Sequence, residues 1–486
     1  MMRSRMLLVC FIFVSTMFFF TVVHPVTIIS GDDWANLSLS RSVFPSWGGF
    51  NPIKVVPEIL MPSAGLFASY VIMPFGITYL FSIALVTAFF VSSLLSVMFN
   101  ELHLLINKEM GVSEEKTSLV LLFYYICIFA LFKTNLGSAS PYLLWEINLT
   151  CYYHYVIPAL LNSALVLYLM RSDASLEAIN RRSDVNLGFL ILAAYLCIFS
   201  NIFSSVFLMV FCCIKTANAV FFRKDFSFRE FVENTVRNVF YIGVVIVWAI
   251  SALFEINGGR ASQIEQSGIL FRESIAQFWL LFKLLDMKIF SLLTVGLLFG
   301  MFFSFKGCKN ETNGFKNIYW LCIFSCAATF IILMMICGKA SPGYASRPVV
   351  VWGVYMYFML AAIVSAACAL ERYRFVNAIF PILCVFLSNK AITPGLSLRE
   401  SHNLNLTYSK ASEVTNNIIM QVIDAEKKGT QELALQVPKG DNNDNWPFPV
   451  YMGPSISKTL KTDGLINKEI KINIKPNLDM NKEFDL

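Results

Sequence analysis

Charge is what this chain has least of: 14% of its 486 residues are Asp, Glu, Lys or Arg, against about 25% in an ordinary soluble domain. It also lacks a basic or acidic surplus that would define a polyanion-binding face. The 38 Lys and Arg stand against 32 Asp and Glu, and the small excess follows an alternation of loops rather than a patch, which excludes nucleic acid as a partner. A disulfide framework is missing too. Ten of the twelve cysteines lie inside apolar runs, Cys151 sits at the mouth of one, and Cys308 lies in a Lys-rich loop. Cys322 and Cys326 share a helix face, but no His or acid accompanies them, so they read as core residues. Nor is there a secretory leader. Arg3 and Arg5 precede an apolar stretch from Met6 to Ile29 that is too long for a signal h-region and has no small-x-small site after it. It reads as an uncleaved first span.

What is there instead is apolar sequence: 56% hydrophobic residues, 15% aromatic, mean hydropathy +0.62. Runs of roughly 18 or more apolar residues are long enough to cross a bilayer. After the first, they are legible at about 77–99, 118–134, 152–170, 238–255, 287–305, 317–337, 349–370 and 375–389. The stretch 187–216 is apolar for about thirty residues but interrupted by Ser200, Asn201, Ser204 and Ser205. The positive-inside rule decides how it counts. Two short helices meeting at Asn201 keep Arg223, Lys224, Arg229 and Arg237 on the same side as Lys108, Lys116, Arg171, Arg181, Arg182, Lys306, Lys316 and Arg372. Polar backbone at such a break is tolerable where protein or a cavity covers it. The count is then eleven transmembrane helices including one broken pair, with the N-terminus cytoplasmic and the C-terminus outside. Residues 1–389 form the membrane domain, with an outer loop at 30–62 and a second outer segment at 256–286. Residues 390–486 form a domain of ordinary soluble composition with twelve bases and twelve acids. There 408–428 has helical periodicity, Ser455–Lys461 reads as a short helix, and Glu432–Val437 and Ile470–Ile474 alternate like strands. A small α/β domain fits.

The residues that carry chemistry fall on the outer side. Gly31-Asp32-Asp33-Trp34 follows the first span almost at once. A carboxylate at a helix centre costs roughly 2.5–3.5 kcal/mol, so these acids belong at the interface. They read either as a Trp-anchored interfacial turn or as a general base, since mutual repulsion and partial burial raise one carboxyl pKa while the other orients a hydroxyl. The same loop holds Lys54 and Glu58 among aromatic and turn residues suited to sugar rings; Glu58 reads as a second carboxylate candidate or as a structural cap. Glu146 and His154 lie near the next outer boundary, His154 within the aromatic run Tyr152-Tyr153-His154-Tyr155. Arg347, in the short outer loop Gly343-Tyr344-Ala345-Ser346-Arg347-Pro348, suits a lipid phosphate through bidentate hydrogen bonds, or snorkels to headgroups. Arg41, Lys54, Arg260 and Arg272 are weaker candidates for the same task. Trp446 offers an aromatic face in the soluble tail, either for stacking on a sugar or as part of a structural loop.

An acidic pair after the first span, many helices, a broken pair and an outer C-terminal domain resemble glycosyltransferases of the GT-C fold. Gly31-Asp32-Asp33-Trp34, the stretch from Asn51 to Glu58, Gly343–Pro348 and the tail around Trp446 resemble more narrowly the phage-encoded, serotype-converting O-antigen glucosyltransferases of bacterial inner membranes. The resemblance implies glucose transfer, with inversion, from undecaprenyl-phosphate-glucose to a sugar hydroxyl of lipid-linked O-antigen in the periplasm. Partners would be a polyprenyl-glucose synthase and a flippase; no cofactor or metal is implied. Asp33 or Asp32 would be the base, and Arg347 would steady the departing phosphate. Glu58 and Trp446 would line the sugar sites, and Glu146 is the nearest match to a further acid of the fold's later outer loop. Beside the resemblance, Trp34, Lys54 and His154 read as further substrate contacts. A transporter or flippase would favour charge within the spans, and a polymerase a large central outer loop. Neither pattern is prominent here.

Overall fold

The structure is a computed structural model and describes residues 2–38, 54–132, 148–220, 228–257, 270–306, 313–392, 406, 408–440 and 442–486. It is mostly helical and is that of a multi-pass membrane protein: among the described residues eight helices are long and apolar enough to cross a bilayer, or nine if a bent pair counts as one. In chain order the elements are α1 (Met2–Phe18), α2 (Gly31–Leu37), α3 (Val55–Phe67), α4 (Tyr79–Met110), α5 (Glu114–Ala130), α6 (Leu149–Cys151), α7 (Ile157–Arg171), α8 (Leu176–Asn180), α9 (Asp184–Ile198) and α10 (Ile202–Val220). There follow α11 (Phe228–Arg237), α12 (Val239–Asn257), α13 (Phe271–Phe282), α14 (Met287–Lys306), α15 (Asn313–Ala340), α16 (Trp352–Arg372) and α17 (Arg374–Ile392). The tail holds α18 (Tyr408–Lys427), β1 (Glu432–Pro438), α19 (Gly453–Thr462), β2 (Lys471–Asn477) and α20 (Leu478–Glu483).

Local chemistry sets the helix boundaries. α4 ends where Gly111 takes a left-handed φ of 69°, the conformation a helix C-terminus favours. Ser113 then starts α5, whose first turn carries Glu114 and Glu115, placing negative charge at the positive end of the helix dipole. The apolar stretch 187–216 is two helices, with the break at residues 199–201. Asn201 closes it: its side-chain oxygen accepts from Phe203 N at 2.9 Å, and its amide donates to His154 O at 2.8 Å. α11 meets α12 at 74°. α16 lies in the bundle core, where apolar contact alone gives little preference for one helix over another and side-chain hydrogen bonds help fix the packing. Trp352 Nε1 donates to Ser163 Oγ at 2.8 Å, and the Tyr357 hydroxyl to Phe207 O at 2.8 Å.

One apolar helix does not behave as its composition suggests. Val55–Phe75 is long and apolar enough to span, and the sequence places most of it in a loop and a gap between spans. Its first amide, Val55 N, donates to Phe199 O at 2.9 Å. A Cβ on Gly65, midway along, would meet Leu37 and Asp463 at 3.1 and 3.3 Å. Near its far end the Tyr70 hydroxyl donates to Thr462 O at 3.2 Å. Its middle and far end therefore meet the C-terminal region, and it runs along the end of the bundle.

The C-terminal elements form a small parallel two-stranded sheet, Glu432 opposite Lys471 through Pro438 opposite Asn477. Parallel pairing requires a crossover, which α19 supplies. Gln421 of α18 extends the ladder: it donates to Gln436 O and accepts from Gln436 N, both at 3.0 Å.

Candidate functional site

The C-terminal unit grips α2. Thr415 Oγ1 donates to Ile28 O at 2.7 Å, Thr459 Oγ1 to Trp34 O at 2.6 Å, and Gly31 N to Pro447 O at 3.3 Å. Gly31 is required for that approach, because a Cβ there would lie 2.6 Å from Pro449 Cγ. The Tyr79 hydroxyl at the start of α4 donates to Asp463, which follows α19. Asp463 is 3% exposed, and burial pushes its carboxyl up to about 6 although the Tyr79 hydrogen bond pulls the other way.

This grip separates the two acids of α2. The Asp33 side chain is fully buried and accepts three backbone hydrogen bonds: from Ile29 N (2.9 Å) and Ser30 N (3.1 Å) on one oxygen, and from Thr150 N (2.7 Å) on the other. Burial raises its carboxyl pKa, and those hydrogen bonds oppose the rise. Asp33 thus caps α2 and ties it to α6, with neither oxygen left for a substrate; the expectation that it acts as base gives way to an anchoring role. Trp34 is also corrected: it is 1% exposed, packed in the core beneath the C-terminal unit rather than facing a ligand. Asp32, one residue earlier on the helix, is exposed.

Asp32 opens into a cavity of about 280 Å³ between the bundle and the C-terminal unit. Lys54, Glu58, His154, Arg347 and Trp446 line the same space. Segments remote in sequence converge there for definable reasons. Lys54 precedes α3 with a left-handed φ of 70°. His154 sits in a π-helical turn before α7, held from behind by Asn201. Arg347 ends the 3₁₀ turn Pro342–Ser346, its guanidinium 5.4 Å from the Tyr344 ring centre, and that ring lies 5.2 Å from Phe203. Trp446 is half-buried. Glu146, expected here, lies outside the described residues, as do Arg41 and Arg260; Arg272, on α13, does not line the cavity.

No family model matches the chain, and no curated protein or solved structure is similar to it. The site is therefore read from its own geometry.

The cavity also contains a carboxylate the sequence reading passed over. Glu255, near the end of α12, lines it, and its Oε2 is shielded from solvent with no hydrogen-bond partner among the described residues. The signal was present: a lone acid closing an otherwise apolar run is a functional candidate by default. The cavity thus holds three carboxylates, two cations, an imidazole and an indole. Tyr451, mostly exposed, stands close enough for burial and then the charges of Asp32 and Asp444 to push its phenol pKa up. Carboxylates facing cations across a space of this size can deprotonate one group while neutralising negative charge developing on another.

Proposed function

We propose that the protein is an inverting glycosyltransferase of GT-C type in a bacterial inner membrane. It moves glucose from undecaprenyl-phosphate-glucose to a hydroxyl of lipid-linked O-antigen on the periplasmic side. The observation that carries this reading is the convergence of Asp32, Glu58 and Glu255 with Lys54, Arg347 and Trp446 on one cavity beneath a soluble unit. With α3 set along the outer end, the chain crosses eleven times, through α1, α4, α5, α7, α9, α10, α12, α14, α15, α16 and α17, leaving the N-terminus cytoplasmic and the C-terminus periplasmic.

In the reaction, Asp32 accepts the proton of the acceptor hydroxyl as its oxygen forms a bond to the anomeric carbon. The bond from that carbon to the phosphate oxygen breaks, and its electron pair leaves with the polyprenyl phosphate. Attack opposite the leaving group inverts the centre. The phosphate is already a good anion and needs no proton; Arg347 and Lys54 neutralise its developing charge. Glu58, Glu255 and His154 accept or donate hydrogen bonds to sugar hydroxyls, and Trp446 offers its ring to a sugar face. The test is transfer of label from polyprenyl-phosphate-[14C]glucose to O-antigen in membranes holding the chain, with the anomeric configuration of the product read by NMR. Transfer with inversion supports the reading; retention of configuration, or no transfer above membranes lacking the chain, refutes it.

A further inference from the structure

The end of the bundle opposite the candidate site carries a second cavity, of about 950 Å³, between α4, α7 and α9. α7 connects the two: seventeen residues separate His154 from Arg171, about 25 Å at the helical rise. The polar end of this cavity is built from Arg171, Arg181 and Arg182 with Glu101 and Asp173. Its remaining walls are apolar, among them Leu94 and Val97 of α4, Leu165 of α7 and Ala193 of α9. Val97 and Phe189 at its edge are 49% and 66% exposed on the outside of the bundle, so the space opens sideways to where acyl chains lie.

The charges at the polar end do not cancel. Arg171 is spent on Glu101, donating from Nε at 2.9 Å and Nη2 at 2.7 Å to one carboxylate oxygen. Arg182 is fixed in place but, among the described residues, donates only to neutral oxygens: the Tyr168 hydroxyl, Ser172 Oγ (3.1 Å) and the Asp173 carbonyl (2.9 Å). Tyr168 also lies under both Arg171 and Arg182, at 5.4 and 5.5 Å from its ring centre. Arg181 is exposed and makes no hydrogen bond or ion pair among the described residues. Two adjacent guanidiniums, one immobilised and one unengaged, therefore sit where α9 begins. The apolar wall continues along α9 from Asn186 to Ala193, roughly 10 Å at the helical rise.

We propose that this cavity binds an acidic glycerophospholipid, such as phosphatidylglycerol, of the leaflet at that end. Its phosphate is held by Arg181 and Arg182, and one acyl chain lies in the groove between α4, α7 and α9. Guanidiniums match phosphate oxygens bidentately, and basic pockets between membrane helices suit anionic headgroups. Because Arg182 is already oriented by three neutral acceptors, little of its side-chain freedom remains to be lost on binding. The proposal does not depend on the transfer reaction.

The test is native mass spectrometry of the full-length purified protein offered phosphatidylglycerol or phosphatidylcholine of equal chain length. The wild type should retain phosphatidylglycerol preferentially. Arg181→Glu, which breaks no side-chain hydrogen bond or ion pair among the described residues, should weaken that retention about ten-fold. Ala193→Trp, which fills the groove, should displace the lipid while leaving the melting temperature close to that of the wild type. Equal retention of the two lipids by the wild type, or a preference untouched in both variants, overturns the proposal. So does displacement of phosphatidylglycerol by an equimolar polyprenyl phosphate, which would make the isoprenoid carrier the occupant.

Discussion

The two ends of the bundle use charge in opposite ways. At the cavity between α4, α7 and α9 the charged groups are largely held by the protein itself: Glu101 accepts from Nε and Nη2 of Arg171, and Arg182 is positioned, though not neutralised, by Tyr168, Ser172 and the Asp173 carbonyl. Among the described residues the Arg181 side chain has no such contact. At the cavity beneath the C-terminal unit, Asp32, Glu255 and Lys54 line an open space without ion pairs among the described residues, while Asp33, whose two oxygens both accept backbone hydrogen bonds, is buried away from it. Charge that is internally matched holds a structure together. Charge that is assembled but left unmatched is what a substrate can complete.

Substitutions that separate turnover from folding test this contrast. The largest effect is expected at Asp32. Asp32→Asn should lower sugar transfer by about 10²–10⁴-fold, the range for loss of a general base, with unchanged protein level and melting temperature, because its side chain makes no internal hydrogen bond among the described residues. Asp33→Asn should do the reverse. Weakening hydrogen bonds from three buried backbone amides costs roughly 2–4 kcal/mol, seen as loss of folded protein in a detergent melting curve, with the surviving fraction turning over normally. Glu255→Gln should reduce transfer about ten-fold or more, with folding intact. Full activity in that variant would remove Glu255 from the site.

At the other end, Glu101→Gln should lower thermal stability by about 1–3 kcal/mol, as loss of a charge-assisted pair, and leave the transfer rate of folded protein unchanged. A drop in rate at constant stability would couple the two ends and break the comparison. The smallest effect is a pH dependence at the joint between bundle and C-terminal unit. The Asp463 carboxyl is raised from 3.8 to about 6 in the folded state, so the folded form holds its proton more tightly than the unfolded chain. Ionisation therefore opposes folding, and stability should fall as pH rises from about 4 through 6, by at most about 3 kcal/mol. Asp463→Asn should flatten that slope in melting curves taken across the window; an unchanged slope would assign it to another group.

Much of this architecture was legible in the residues. The apolar runs mark most of the bundle, and Ser200-Asn201 marks a helix break because Asn and Ser offer hydrogen bonds that compete with a continuing helix. The tail's helix and two strands follow from period alone. α3 was not legible, since an apolar helix lying along the end of a bundle and one crossing it have the same composition; only its contacts with Phe199, Leu37, Thr462 and Asp463 tell them apart. The acidic pair could be located but not resolved, because adjacent residues on a helix point about 100° apart and which one faces inward depends on Thr150, more than a hundred residues later. Glu255 was hidden at the end of a run whose hydropathy made it look like a boundary residue.

The most direct measurement is transfer of labelled glucose from polyprenyl-phosphate-glucose to lipid-linked O-antigen by wild type, Asp32→Asn and Asp33→Asn at matched levels of folded protein. Transfer is expected from wild type and from folded Asp33→Asn, with none above background from Asp32→Asn. Undiminished transfer by Asp32→Asn would contradict its role as the base.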